Sequence, residues 1–272
     1  MLDSVFDSMF DLAALDAALA GTIFAGKQQY ARVTGSTNAD AVEAARHGAP
    51  HGSVYFADEQ RAGRGRGDHR WESAAGEGLY VSVLLRPRFP AARLPLLPLA
   101  AGLAAAGAIR AVCALTVDLR WPNDLLIGAR KVVGILAEAI HAANSPHHAV
   151  AVGIGINVHQ RAFSPELATP ATSLDLESGR RIARQELLVA LLQSLEREAR
   201  ALEEPGAASK LIARVEAAST WMRGRAVEVH GPQACSGVTA GLDENGFLRV
   251  TTAQGSVTVQ TGGLRASGAT NR

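Results

Sequence analysis

Lysine is nearly missing from this 272-residue chain. Of 27 basic residues only Lys27, Lys131 and Lys210 are lysine; the other 24 are arginine. The preference is compositional, and it makes each lysine a position to be explained. Net charge is equally scarce, since 27 basic against 26 acidic residues leave +1. That is too little for a global field that recruits nucleic acid or an anionic membrane, so neither is expected as a partner. Cysteine is rare: Cys113 and Cys235 lie far apart, which excludes a disulfide framework and a clustered metal spacing. A reducing, cytoplasmic setting is the expectation. The longest apolar run, Leu94 to Ile109, is 16 residues and carries Pro95 and Pro98, so it reads as too short and too broken to span a bilayer. The first twenty residues carry acids where an export signal needs bases.

What is present is a globular composition, 47% hydrophobic and 19% charged. Short helices are expected over 11–20 and Asn38–His47, the second capped by Ser36 or Thr37 and followed by Gly48. Residues 53–57, 78–87, 116–121 and 149–158 read as strands, and Leu97–Val112 as a buried helix. Leu125–Ala137 reads as a hairpin turning at Gly128-Ala129, and Ile182–Glu204 and Ala207–Ala218 as helices. After Trp221 the pattern changes to short strands separated by glycine turns, a small β-barrel of about 45 to 50 residues with a boundary near Met222.

Three segments carry chemistry. Gly63-Arg64-Gly65-Arg66-Gly67 sits in a stretch, Arg61 to Arg70, with four arginines and one aspartate, a local +3. Glycine lets backbone N–H groups approach an anion, and arginine adds bidentate phosphate contacts; an Arg-Gly surface loop without a partner reads the same way. The spacing is neither a Walker A loop nor a dinucleotide fingerprint. Trp121-Pro122-Asn123-Asp124 places a carboxylate at a strand end, suited to a hydrated Mg²⁺ beside phosphates or to ordinary turn chemistry. Seven residues on, Lys131 opens a strand of valines, isoleucine and leucine; a compact ammonium suits one oxygen anion whose charge changes, or a solvated hairpin position. Gly153-Ile154-Gly155-Ile156-Asn157 puts two glycines in a strand, the mark of a close approach or of a bulge. The histidines, His69, His147 and His148 among them, show no dyad or metal spacing and read as surface residues, and Lys27 and Lys210, outside these segments, read as solvent-facing.

In this order the segments resemble the biotin protein ligases. The likeness runs from about residue 33 to 266. It takes in Gly35-Ser36-Thr37-Asn38, the run Asp58 to Arg66 with Trp71, Trp121-Pro122-Asn123-Asp124 with Lys131 and Gly134-Ile135-Leu136, Gly153 to Val158, and Ala171-Thr172-Ser173-Leu174. The resemblance implies an α+β fold: a mixed sheet flanked by helices, of the class II aminoacyl-tRNA synthetase and biotin ligase kind, with a C-terminal SH3-like barrel. The divisions expected are 1–30 as a helical extension, 31–221 as the biotin- and ATP-binding domain and 222–268 as the barrel. It implies ATP with Mg²⁺, biotin as substrate, and a biotin carboxyl carrier protein as acceptor, in a monomer or homodimer.

Carried over by position, Ser36, Thr37, Asn38 and Gln60 line the biotin end. Gly63, Arg64, Gly65 and Arg66 form the closing loop, and Arg64 and Arg66 join Lys131 as catalytic candidates. Lys131 is placed on the biotin carboxylate and α-phosphate, and Asp124 beside Mg²⁺. Gly134, Gly153 and Gly155 give room beside biotin, Asn157 lies near the adenine, and Trp71 packs on the nucleotide. Gly67-Asp68-His69-Arg70 departs from the family loop, which has Gly and Arg before its Trp. About 30 residues precede the motifs, half of what a winged helix-turn-helix needs, so a monofunctional ligase is expected. The competing readings are a lipoate-type ligase and a non-catalytic biotin-sensing regulator.

Overall fold

The computed structural model describes residues 10–140 and 148–268; His147 lies outside them. The chain opens with α1 (Leu12–Ala18), capped by the Asp11 side chain accepting from the backbone N–H groups of Ala13 and Ala14. Its apolar side sends Leu15 and then Leu19 into the core, both fully buried. So the leading segment is anchored to the main body. The strand β1 (Gln28–Thr34) begins within it and runs parallel to β2 (Ser53–Gln60). Periodicity misses β1, because an edge strand with one side in solvent tolerates Gln-Gln-Tyr-Ala-Arg-Val-Thr.

The remaining main-sheet strands are β3 (Gly78–Leu85), β4 (Asp118–Arg120), β5 (Asp124–Ile127), β6 (Arg130–Ile140) and β7 (Ala149–Asn157). They join in the order β1-β2-β3-β7-β6-β5-β4, antiparallel except for the first pair. The β5–β6 hairpin turns at Gly128, whose positive φ of 60° suits a tight reversal. Strand β3 is buried at every position; it lies inside the sheet, between β2 and the central β7.

The two faces are covered differently. Val81, Val83, Val152 and Ile154 face the layer formed by α3 (Leu96–Cys113) and α5 (Arg184–Ala201), which pack on each other. Tyr55, Leu84, Ala149, Ala151 and Ile140 face α2 (Thr37–Arg46), which meets them with Ala41 and Ala45. Helix α2 covers only one end of its face. Further along, the register pairs Gly153 with Ser82 and Gly134 with Gly155, and these small residues leave the sheet surface bare.

The apolar run around Leu94–Ile109 is not broken. Helix α3 is 18 residues long, apolar and long enough to cross a membrane by length and composition alone, and most of it is buried inside the protein. Pro98 falls in its first turn, where backbone N–H groups have no intrahelical acceptor and proline costs nothing.

The chain continues through α4 (Leu174–Ser178) and α6 (Ala207–Ala217) to β8 (Arg223–His230), β9 (Cys235–Leu242), β10 (Leu248–Thr252), β11 (Gly255–Val259) and β12 (Gly263–Ala266). These five make an antiparallel SH3-like sheet in the order β11-β10-β9-β8-β12. Strand β12, four residues long, falls below what alternation can reveal; it pairs with β8. The sheet is tied to the main body: Trp121 is 2% exposed and its indole N–H donates to the Gly246 carbonyl at 3.0 Å.

Two expectations about side chains change. Lys27 is not a solvent-facing lysine: its ammonium donates to the carbonyls of Ile23 at 2.8 Å and His51 at 2.9 Å, fastening the approach to β1. Nor are all histidines on the surface. His159 is buried, with Nδ1 at 2.8 Å from Asp175 Oδ2. His69 is exposed and His148 half-buried.

Candidate functional site

A cleft of about 1410 Å³ opens over the bare part of the sheet. Its floor is the glycine pair Gly134 and Gly155 with Gly153 beside them. Its roof is the Arg/Gly loop, which folds as a short hairpin: Trp71 N–H donates to Gly63 O at 3.0 Å, and Gly65 N–H to His69 O at 2.7 Å. The Gly65 N–H is therefore used within the hairpin and is not offered to an anion. Gly63 is required by closeness, since a side-chain carbon there would stand 2.3 Å from the Trp71 carbonyl. Gly67, at φ 59°, makes the tip.

The floor glycines are covered by the roof's own tryptophan. A carbon added at Gly134 would lie 2.6 Å from Trp71 Cζ3, and one at Gly155 2.6 Å from Cε2 and Nε1. One added at Gly153 would lie 2.7 Å from Asn38 Oδ1. The room expected beside a ligand is, in this conformation, room for the Trp71 indole and the Asn38 amide.

One end of the cleft is a polar nest. The Thr37 backbone N–H and hydroxyl donate to Gln60 Oε1 at 2.9 and 3.1 Å, and the Thr37 and Ser82 hydroxyls share a hydrogen bond at 2.8 Å. Gln60 Nε2 then donates to Ser73 Oγ at 2.8 Å. Ser36 caps α2 by position, without a side-chain bond. Asn38 donates through Nδ2 to Glu138, while its Oδ1 is buried without a partner. Ser82 and Glu138 were missed by sequence reading; a serine in an otherwise apolar strand and a carboxylate in β6 were the available signals.

The other end is charged. Lys131 Nζ lies 2.5 Å from Asp124 Oδ1, and Arg120 Nη2 lies 2.6 Å from Asp124 Oδ2. Burial pushes the Asp124 carboxyl up, but the two cations outweigh it and hold the group below the usual carboxylate value. Arg120, also missed, is 8% exposed and stands over the Trp221 ring at 5.4 Å. The ammonium of Lys131 lies 5.3 Å from the Trp71 ring centroid. Its main chain is pinned on both sides: its N–H donates to Pro170 O at 2.7 Å, and its carbonyl accepts from Thr172 N–H at 2.9 Å. Asn157 Nδ2 bridges the same pair, donating to Thr172 O at 3.0 Å and Lys131 O at 3.5 Å. Its amide N–H₂ thus holds the Lys131 backbone, a different task from contacting a base.

Asp124 does not suit direct metal ligation. Both oxygens face cations, and among the described residues no group of three or more His, Cys, Asp or Glu could hold a metal.

The two roof arginines part company. Arg66 turns to the charged end, donating to Gly262 O and Thr261 Oγ1 of the C-terminal sheet at 2.9 Å each and to Asn123 Oδ1 at 3.5 Å. Burial draws its guanidinium below the ordinary arginine value, and Asp124 opposes that. Arg64 turns to the polar end and donates to Glu138 at 2.6 Å. Glu138 and Lys131 are seven positions apart on β6, roughly 20 Å of strand. Arg64 is not brought together with Lys131.

A mixed sheet floored by glycine, a hairpin roof and an appended SH3-like sheet define the biotin-ligase class of folds. The biotin protein ligase from Aquifex aeolicus in complex with biotin and ATP matches with a TM-score of 0.77 and 29% identity, covering 89% of this chain and 100% of that one. The model of the biotin/lipoate A/B protein ligase family matches residues 30–157. The bifunctional ligase/repressor BirA of Bacillus spizizenii is 37% identical over 229 residues, 83% of this chain and 70% of that protein. The biotin–[acetyl-CoA-carboxylase] ligase of Mycobacterium tuberculosis is 35% identical over 237 residues, 84% and 85% of the two chains. The chain belongs to the biotin/lipoate A/B protein ligase family.

Proposed function

We propose that this protein is an ATP-dependent biotin protein ligase that biotinylates a lysine of a carboxylase's biotin carboxyl carrier protein. A biotin carboxylate oxygen attacks the ATP α-phosphorus, and the bond to pyrophosphate breaks, leaving biotinyl-5′-AMP. The acceptor lysine amine then attacks the anhydride carbonyl and AMP departs. Both steps move negative charge at one carbonyl–phosphate junction, which calls for fixed positive charge more than for a nucleophile.

The observation that carries this reading is Lys131: an ammonium at the cleft's charged end, held by Asp124 and backbone-locked through Pro170, Thr172 and Asn157. A cation fixed before reaction pays no reorganisation when charge shifts. In this proposal Lys131 binds the biotin carboxylate and α-phosphate, Arg66 closes over the phosphates, and Trp71 covers the bound acid. Thr37 and Gln60, with Ser36, Asn38 and Ser82, receive the polar biotin ring. Arg64 holds the roof rather than the phosphates. Mg²⁺ accompanies ATP without a direct bond to Asp124. In the same proposal residues 31–221, with the segment before them that supplies the start of β1, form the biotin- and ATP-binding unit, and 222–268 the appended barrel. Both cysteines are free and Cys113 is buried, in keeping with a reducing cytoplasm.

The test is incubation with biotin, Mg-ATP and a purified carrier domain. Biotinyl-adenylate and a labelled carrier are expected; pyrophosphate exchange driven by lipoate and not by biotin would overturn the choice of acid.

A further inference from the structure

Glu138 is absent from the cleft wall, yet it touches two residues that form it. It lies on β6, paired with Ala151, on the face shared by α2 and the cleft. One of its oxygens, Oε2, accepts from both Asn38 Nδ2 and Arg64 Nη2, the second at 2.6 Å. The side chain is 29% exposed.

A carboxylate can only accept. It therefore dictates which end of the Asn38 amide turns towards it. The N–H₂ goes to Glu138, and the Oδ1 is left against Gly153 on the cleft floor as a buried acceptor without a protein partner. The same oxygen pulls on Arg64, four residues beyond Gln60 in the roof hairpin. Arg66 fastens that hairpin to the C-terminal sheet, and Glu138 fastens it to the main sheet at the opposite end of the cleft. One charge thus sets both the polarity of the recognition amide and the closure of the roof above it.

We propose that Glu138 is a positioning residue: it orients the Asn38 amide towards the cleft floor and latches the roof hairpin through Arg64, coupling closure to recognition of the bound acid's ring. The recognition half rests on the biotin-ligase reading; the latch does not.

The experiment uses the full chain and the variants Glu138→Gln, Arg64→Met and their combination. Without substrates, tryptic cleavage at Arg61, Arg64, Arg66 and Arg70 is followed by mass spectrometry. Only the three arginines shared by all variants are compared. Glu138→Gln keeps the shape and loses the charge, and a melting curve establishes that it is folded. Its roof should be cut about fivefold faster, the scale of one charge-assisted bond. Arg64→Met should match it, and the double variant should be no faster than either single one.

In steady-state ligation, Glu138→Gln should raise the biotin KM about tenfold while kcat and the ATP KM stay within about twofold. A general loss of structure would not produce that split. Wild-type cleavage rates in Glu138→Gln, or additive effects in the double variant, overturn the latch. A wild-type biotin KM overturns the recognition role. If biotin is not the substrate, the cleavage comparison still decides the latch.

Discussion

Replacing Gly155 with alanine tests what the bare cleft floor is for. The added carbon would stand 2.6 Å from Cε2 and Nε1 of Trp71, about 1 Å inside an ordinary contact. Strand β7 is paired on both sides, with β3 and β6, so the sheet cannot yield and the indole must. The hairpin carrying Trp71 is held by Arg64 on Glu138 and by Arg66 on the C-terminal sheet. Such partly exposed contacts contribute about 0.2–1 kcal/mol each. Lifting the ring therefore costs about 0.4–2 kcal/mol, short of the roughly 3 kcal/mol that overpacking a closed core can reach. At 1.4 kcal/mol per factor of ten, the biotin KM should rise about 2- to 30-fold. Stability to urea should fall by no more than that same amount, because the roof moves and the core does not. The decisive assay is the biotin KM in Gly155→Ala, Trp71→Ala and the double variant. Once the indole is gone, the alanine should add almost nothing. An equal penalty with and without Trp71 would refute the argument, because the floor would then be kept bare for something else.

Lys131→Ala should slow pyrophosphate exchange about 10²- to 10³-fold, the scale of removing one fixed charge-stabilising donor, while circular dichroism stays native; unchanged exchange would remove Lys131 from the chemistry. Asp124→Asn should cost about 3 kcal/mol of stability at neutral pH by leaving Arg120 and Lys131 without their counter-ion. Because the folded carboxyl lies below its ordinary value, this contribution is fully present above about pH 4 and is lost as pH falls further through the folded value. Urea titrations at several pH values should show the wild-type advantage shrinking only below about pH 4, and an advantage that fades near neutrality would contradict the assignment. Arg66→Gly removes the contacts to Thr261 and Gly262 and should speed biotinyl-adenylate release about tenfold in a filter assay; an unchanged release rate would mean the hairpin is not the lid.

Much of the fold was legible because the physics behind it is local. The β5–β6 hairpin was visible from two apolar runs meeting at Gly128, and α5 from its amphipathic spacing. Edge strand β1 and four-residue β12 escaped because neither carries enough one-sided burial to mark a period. Pro95 and Pro98 were misread as breaks because proline's cost depends on the turn it occupies, which a run of letters does not state.

For the site, side-chain chemistry was enough to nominate Lys131, Asp124 and the Arg/Gly loop, because a charge is intrinsic to its residue, and the resemblance of the ordered motifs added Thr37, Asn38 and Gln60. Direction is not intrinsic. Only the folded chain sends Arg64 to Glu138 and Arg66 to the C-terminal sheet, though a single residue, Gly65, separates them in the sequence. Only the fold makes Asp124 the counter-ion of Lys131 and Arg120, lays Trp71 over the floor glycines, and turns Lys27 inward onto two carbonyls. The scarcity of lysine marked Lys131 as unusual, and composition alone could say no more. Its charge acquires a position because β6, the Asp124 carboxylate and the segment Pro170–Thr172 converge from distant parts of the chain, and convergence of that kind is a property of packing.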